Sequence, residues 1–477
     1  MTAQPATARA DPTGPPGGGS RAVQIARQIE ADIIARGWPV GAALGSEIAL
    51  QQQFGVSRAV LREAIRLIEH RQLARMRRGP GGGLFVTAPD GVSSLRALVI
   101  YLDYLGTTAD DIIHARLLLE PLAAALTIDT LTKAGVEEIT GTLARAGDDL
   151  PAALSNLHLA VARLSGNAVL DLFIRVLTRL TTRHARLSSG PLPDLERLRT
   201  LHRSIADAVI AGDTIRAQGA LTDELALVSD WLAGRPRTPR QPVTEPPRPG
   251  DSDARLAELV AARIHDDIAA AGWPIGQVLG SETHLLGEYA IGRSVLREAV
   301  RILEYHSVAR MRRGPGGGLV VTAPDPQTSI ESMALFLEHR GVHADQLHTT
   351  RSAIELGIIT RVCDLRSDAV IDRLTTATNW MLDGPDDEPR KADRFHTELA
   401  DIAGNPVLSL FLDVITELFR LHSSRHTELP GDDAADEVFH AHERILDAIR
   451  CGDTGIARRR MRRHLDALIP WYDADDA

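Results

Sequence analysis

The chain has 477 residues, room for several domains of ordinary size, each with its own core. Two cysteines, Cys363 and Cys451, exclude a disulfide framework and a thiolate metal site, and a net charge of −10 argues against a nucleic-acid partner unless the charge is segregated. The two widely separated cysteines fit a reducing cytosol, and no apolar run approaches the ~20 residues of a membrane-crossing helix, so no membrane partner is expected.

Residues 1–20, rich in Pro, Gly and Ala with Asp11 and no apolar run, read as a disordered tail and not as a signal peptide. From Ala22 to Arg36, Val23, Ile25, Ile29, Ile33 and Ile34 fall near one face of a helix that Gly37-Trp38-Pro39 breaks. Ser46 is an N-cap candidate, with Glu47 in the first turn of a short helix through Gln53. Gly55-Val56-Ser57 makes a tight turn, and Ser57 caps a second helix from Arg58 to Glu69. Leu73 to Met76 and Leu84 to Thr87 are short β runs around a glycine-rich tip at residues 77–83. Helix, helix, turn, helix and two-stranded wing together make a winged helix-turn-helix.

From Val92 to Trp231 no period of two persists, and about six helical segments are expected. The first includes Asp110 to Leu126, where Pro121 is expected to kink it. Gly106, Gly166, Gly190 and Gly212 fall at helix ends. Residues 235–250, rich in Pro and Arg, read as an extended, semi-rigid linker.

The same pattern then returns. The string from Ala74 to Leu84 recurs letter for letter from Ala309 to Leu319, and Trp38-Pro39, Leu44-Gly45-Ser46-Glu47 and Val60-Leu61-Arg62-Glu63-Ala64 return 235 residues later. Solenoid repeats are far shorter, so a whole domain set is duplicated. The expected fold is mainly α: a tail at 1–20, a winged helix-turn-helix at 21–90, an all-α bundle at 91–233 and a linker at 234–252. A second winged helix-turn-helix follows at 253–325 and a second bundle at 326–477.

Charge is segregated. Between Arg58 and Arg78 seven arginines face two glutamates, and between Arg293 and Arg313 six face two. Arg58 and Arg62, and in the second copy Arg293 and Arg297, lie one turn apart and project from one helix face, where guanidinium can reach guanine edges in a major groove. In the wings Arg75, Arg77 and Arg78 with Gly81, and Arg310, Arg312 and Arg313 with Gly316, place charge beside backbone freed by glycine, which suits close approach to phosphates. A nucleotide-phosphate loop is disfavoured, since no Lys-Ser/Thr follows the glycines and no helix opens after them.

These motifs, with Val56-Ser57-Arg58, resemble the DNA-binding domain of GntR-type bacterial regulators. The helical parts resemble the FadR subgroup and its FCD effector domain through Arg116 with Glu120, Gly166-Asn167 and Ala208-Val209 with Gly212-Asp213. Arg351 with Glu355, Gly404-Asn405 and Ala448-Ile449 with Gly452-Asp453 match in the second copy. One departure concerns the first motif helix, where the family often has Arg after the Glu and this chain has Ile48 and Thr283.

The resemblance implies a divalent metal, Zn, Ni or Mn, held by Asp393, His396, His442 and His464, although Asp393 and His396 stand three apart where the family usually has four. The first copy offers a weaker set, His158, His202 and Glu224, with Ser155 in place of the Asp. Arg116 and Arg351 are either clamps for an effector carboxylate or ion-pair partners of Glu120 and Glu355 at i,i+4. The function implied is a ligand-responsive repressor, not an enzyme. It would read a two-half-site double-stranded operator as an intrachain pseudo-dimer, with further homodimerisation open, and sense a small organic acid. An effector-independent architectural DNA binder is the alternative. A metal-dependent enzyme is disfavoured, because no nucleophile or general base accompanies the histidines.

Overall fold

A computed structural model describes residues 21–79, 81–89, 91–145, 154–188, 193–233, 253–314, 316–383, 393–423 and 432–469. The expected tail at 1–20, the linker at 234–252 and the helix end at Gly190 lie outside the described residues. The chain divides at Pro89 into two compact units. Among the described residues no helix is long and apolar enough to cross a membrane.

The smaller unit is the first winged helix-turn-helix: α1 (Arg21–Ala35), β1 (Ala43–Gly45), α2 (Glu47–Phe54), α3 (Arg58–His70), β2 (Ala74–Arg77) and β3 (Gly83–Val86). Ile25, Ile29 and Ile33 of α1 are buried, as are Leu61, Ala64, Ile65 and Ile68 of α3, so the apolar periodicity does become the core. Ser46 and Ser57 accept hydrogen bonds from the amides of Ala49 (3.2 Å) and Val60 (3.4 Å), as N-caps do. Gly55 takes the left-handed conformation that ends α2. The wing strands pair one residue later and earlier than expected, Arg75 facing Phe85 and Met76 facing Leu84.

A third strand went unforeseen. The three residues of β1 pair with β3, giving the order β1-β3-β2. A side chain at Gly83 would meet the Gly45 carbonyl oxygen at 2.6 Å, so glycine permits this close pairing. Trp38 locks the sheet to the break after α1 by donating from Nε1 to the Thr87 carbonyl (2.9 Å).

The larger unit opens with the first bundle: α4 (Gly91–Tyr104), α5 (Ala109–Thr130), α6 (Lys133–Arg145), α7 (Asn156–Leu164), α8 (Ala168–Leu187), α9 (Leu195–Ile210) and α10 (Thr214–Leu232). The second winged unit comprises α11 (Asp253–Ala270), β4 (Val278–Gly280), α12 (Glu282–Glu288), α13 (Arg293–Tyr305), β5 (Ala309–Arg312) and β6 (Gly318–Val321). The second bundle holds α14 (Pro326–His339), α15 (Ala344–Asp364), α16 (Asp368–Asp383), α17 (Arg394–Ala403), α18 (Pro406–Ser423), α19 (Asp432–Arg450) and α20 (Thr454–Ala467). Seven helices are thus described per bundle where about six were expected; α4 and α14 are the additions. Helix α5 runs unbroken through Pro121.

The two bundles pack on one another as pseudo-symmetric halves. Phe173 of α8 stacks on its own counterpart, Phe411 of α18, with centroids 3.9 Å apart and planes 7° from parallel. A residue that meets its counterpart lies on the local two-fold axis. Asn167 caps α8 through Oδ1 and donates across to the Gln346 carbonyl (3.0 Å). Asn405 caps α18 likewise and donates to the Asp111 carbonyl (3.0 Å).

The second winged unit is seated on the first bundle. Ile100 of α4 belongs to its core, and Tyr104 meets Trp273 edge to face at 5.4 Å. Arg183 of α8 pairs with Asp103 of α4 (2.6 Å) and with Asp266 of α11.

Candidate functional site

Two kinds of site can be built from these elements. The first is the exposed face of each winged unit. Arg58 and Arg62 both point from α3 to solvent and both donate to Glu47 Oε1, at 3.0 and 2.7 Å. The two arginines hold the Glu47 carboxyl below its usual pKa, and Glu47 in turn holds both guanidinium groups on one face. In the second copy Arg293 is 3.9 Å from Glu282, and Arg297 donates to the Arg293 carbonyl instead (3.4 Å). Ser57 caps α3, whereas Gly292 offers no side-chain cap to α13.

Arg75, Arg77 and Arg78 of the first wing and Arg310, Arg312 and Arg313 of the second are all exposed, and Gly81 and Gly316 have φ of 74° and 70°. Arg77 lies over the Phe85 ring (4.4 Å), and Arg312 donates to the Gly316 carbonyl (2.8 Å). Sequence reasoning counted Glu69 and Glu304 only as opposing charges. Each accepts from the wing, at the amides of Met76 (2.9 Å) and Met311 (3.0 Å), and so fixes the wing against the helix. Ile48 and Thr283, where the family often has Arg, are exposed on the short helix.

The second kind of site lies inside each bundle. In the second bundle His396 (α17), His442 (α19) and His464 (α20) are buried, and their Nε2 atoms stand 3.2 Å from one another in all three pairings. Burial, followed by the neighbouring imidazole, pushes His442 well down and His464 to about 3, so both rings are neutral near pH 7. The His396 tautomer that donates from Nδ1 to Glu355 turns an Nε2 lone pair toward the other two rings. Nitrogens bound at ~2.1 Å to one ion lie roughly 3.0 Å apart in octahedral and roughly 3.4 Å in tetrahedral geometry. The observed spacing falls between, so the donor set fits a divalent cation. Asp393, partly exposed at the start of α17, is not among the converging groups.

Arg351 is buried and donates through Nε to Glu355 (2.6 Å), so the chain of contacts runs Arg351, Glu355, His396, cluster. Burial alone would raise the Glu355 pKa, but His396 and Arg351 together lower it to about 2. Glu355 therefore orients a ring of the cluster as well as neutralising the arginine. The sequence carried the i,i+4 pair, but not the tertiary link to His396.

The first bundle repeats the chain with one change. Arg116 pairs with Glu120 (2.5 Å), and Glu120 with His158 Nδ1 (2.8 Å). His158 Nε2 then faces Glu224 (3.1 Å), which also faces His202 Nε2 (3.5 Å). Burial would lower the His158 pKa, but Glu120 and Glu224 outweigh it and raise it to about 9. A proton on His158 therefore balances a carboxylate that has no counterpart in the second bundle.

Comparison with known proteins gives two family matches, each found twice. The bacterial regulatory proteins of the gntR family match residues 21–86 and 256–319, and the FCD domain matches 111–226 and 346–467. The HTH-type transcriptional repressor NanR of Cronobacter sakazakii is 25% identical over 232 residues, covering 46% of this chain and 86% of its own. The HTH-type transcriptional regulator LutR of Bacillus subtilis is 26% identical over 209 residues, covering 42% and 94%. Among solved structures, a Streptococcus agalactiae GntR aligns at 21% identity with a TM-score of 0.32, covering 44% of this chain and 99% of that one.

Proposed function

Because this chain belongs to the GntR family of bacterial regulatory proteins, with a gntR-type DNA-binding domain and an FCD domain each present twice, we propose that it is a single-chain, ligand-responsive transcriptional repressor. Its two winged units read the two half-sites of one double-stranded operator in the cytoplasm. The FCD bundles sense a small organic acid, and a divalent metal in the second bundle is held by His396, His442 and His464. The relatives named repressor and regulator support this reading at the level of class.

The observation that carries it is the pair of outward arginines kept at one register in both copies, Arg58 with Arg62 and Arg293 with Arg297. A bound metal would supply a Lewis-acidic anchor for an effector carboxylate. Arg116 and Arg351, each buried and already paired with a glutamate, act on the effector through the histidines they help to orient.

A shift assay on operator DNA tests the reading. Arg62→Ala and Arg297→Ala are each expected to weaken binding by about 1–3 kcal/mol when each removes a guanine contact, at one fixed salt concentration. Unchanged affinity in both variants overturns it.

A further inference from the structure

Away from both histidine clusters, the first bundle and the second winged unit enclose a cleft of about 950 Å3. One wall is α4 and α8. The other is α11 with the C-terminal end of α13, at Ile302, Leu303 and His306, and α14 of the second bundle adds Phe336 and Arg340. Six arginines line it: Arg96, Arg175, Arg179, Arg183, Arg186 and Arg340. Four of them lie along one side of α8, three or four residues apart.

The counter-charges do not match them. Asp171 takes Arg175 (2.9 Å), Asp103 and Asp266 take Arg183, and Glu258 stands 3.9 Å from Arg96. Arg179, Arg186 and Arg340 have no carboxylate partner among the described residues. Partial desolvation at the cleft wall, and then Arg96, Arg183 and Arg186, hold the solvent-reached Arg179 guanidinium below its usual range. Like charges gathered beside low-dielectric walls repel one another unless an anion joins them.

The duplicated copy shows that the fold does not require this row. The counterparts of Arg175, Arg179, Arg183 and Arg186 on α18 and just beyond it are Asp413, Glu417, Leu421 and Ser424. The packing residues between them persist: Leu172 and Phe173 match Leu410 and Phe411, and Val176 and Leu180 match Val414 and Leu418. The core face of the helix is thus held constant while its cleft face changes sign.

We propose that this cleft binds a multiply charged organic anion, a di- or polyphosphate or a polycarboxylate, between the first bundle and the second winged unit. Guanidinium forks match the oxygens of either group. Leu95, Val99, Leu172 and Phe336 offer an apolar floor for the organic body. Of the first bundle's candidate metal positions only Ser155 reaches the cleft; His158, His202 and Glu224 do not line it, so the proposed site is not the FCD cluster. Its occupant touches the far end of the second DNA-reading helix.

Titration calorimetry and thermal shift on the full chain, with pyrophosphate and with citrate at constant ionic strength, test the site. Saturable binding of at least one probe is expected, and the probe that binds names the phosphate or carboxylate source. Arg179→Glu with Arg186→Ser, the residues of the second copy, should weaken it by about tenfold or more. Both side chains are exposed, so this variant should melt no lower than the parent in the absence of ligand. Arg216→Glu on α10, outside the cleft, should bind like the parent. The proposal fails if neither probe binds saturably, or if the double variant binds as well as the parent.

Discussion

At the scale of single residues, the two copies differ at one position of the buried cluster. Glu224 takes the place of a third histidine, and its charge is met by a proton on His158. A cation entering the first cluster must displace that proton, whereas the second cluster presents neutral imidazoles. Metal analysis of the dialysed chain should give about one tightly held divalent ion per molecule, lost in His442→Ala. Glu224→His should raise the count to about two. A count that ignores both substitutions would show the ion to be elsewhere.

Backbone strain also separates the copies. Ala290 ends α12 with φ of 51° where Gly55 holds the same post, and a side chain in that region is disfavoured by ~1–2 kcal/mol. Ala290→Gly should therefore stabilise the second winged unit by about 0.5–1 kcal/mol after glycine's own entropy is subtracted. Slower amide exchange in α12 and α13 would register it, and faster exchange would contradict it.

At the scale of elements, caps and periodicity made much of the fold legible. Ser46 and Ser57 announce α2 and α3, and the isoleucines of α1 mark its buried face. The strand β1 was hidden because three residues carry no alternation; their pairing exists only once β3 lies alongside. Helix α4 was hidden because its apolar residues, Leu95 through Leu102, serve three neighbours, α8 of its own bundle, α14 of the second bundle and the second winged unit at Ile100, which blurs a single stripe. In the candidate site the Arg-Glu pairs could be read from spacing, and the histidines only from the family resemblance. The links from Glu120 to His158 and from Glu355 to His396 could not, because they close only in three dimensions.

Helix α11 carries a pH-sensitive member of the seam. His265 is buried against Trp273, with Asp103, Asp266, Arg183 and His306 around it. Burial, then Arg183 and His306, holds its pKa well below 6.5. A depressed pKa gives stability that is complete above the unfolded value and is lost as pH falls toward the folded one. The melting temperature should therefore drop as pH falls below about 6.5, and less steeply in His265→Gln. Parallel profiles for the two proteins would rule this out.

At the scale of the whole molecule, the pseudo-symmetric junction of the bundles explains how one chain can present two reading heads. Phe173 and Phe411 are both fully buried, and the stack joins them across the axis. Replacing either with Ala should destabilise the chain by about 3–5 kcal/mol. The double variant should fall short of the sum by about 0.5–1.5 kcal/mol, the part that belongs to the ring pair. Strict additivity in denaturant melts would mean that the rings do not meet in solution.

That stack has a genetic consequence. In a protein assembled from two identical chains, every mutation strikes both sides of the axis, and a cell with two alleles builds hybrids of them. Here the partners are joined by peptide bonds, so a mutation touches one half and a defective allele cannot poison this pairing in its neighbour's product. Position 173 can change while position 411 stays, and each half inherits its own history.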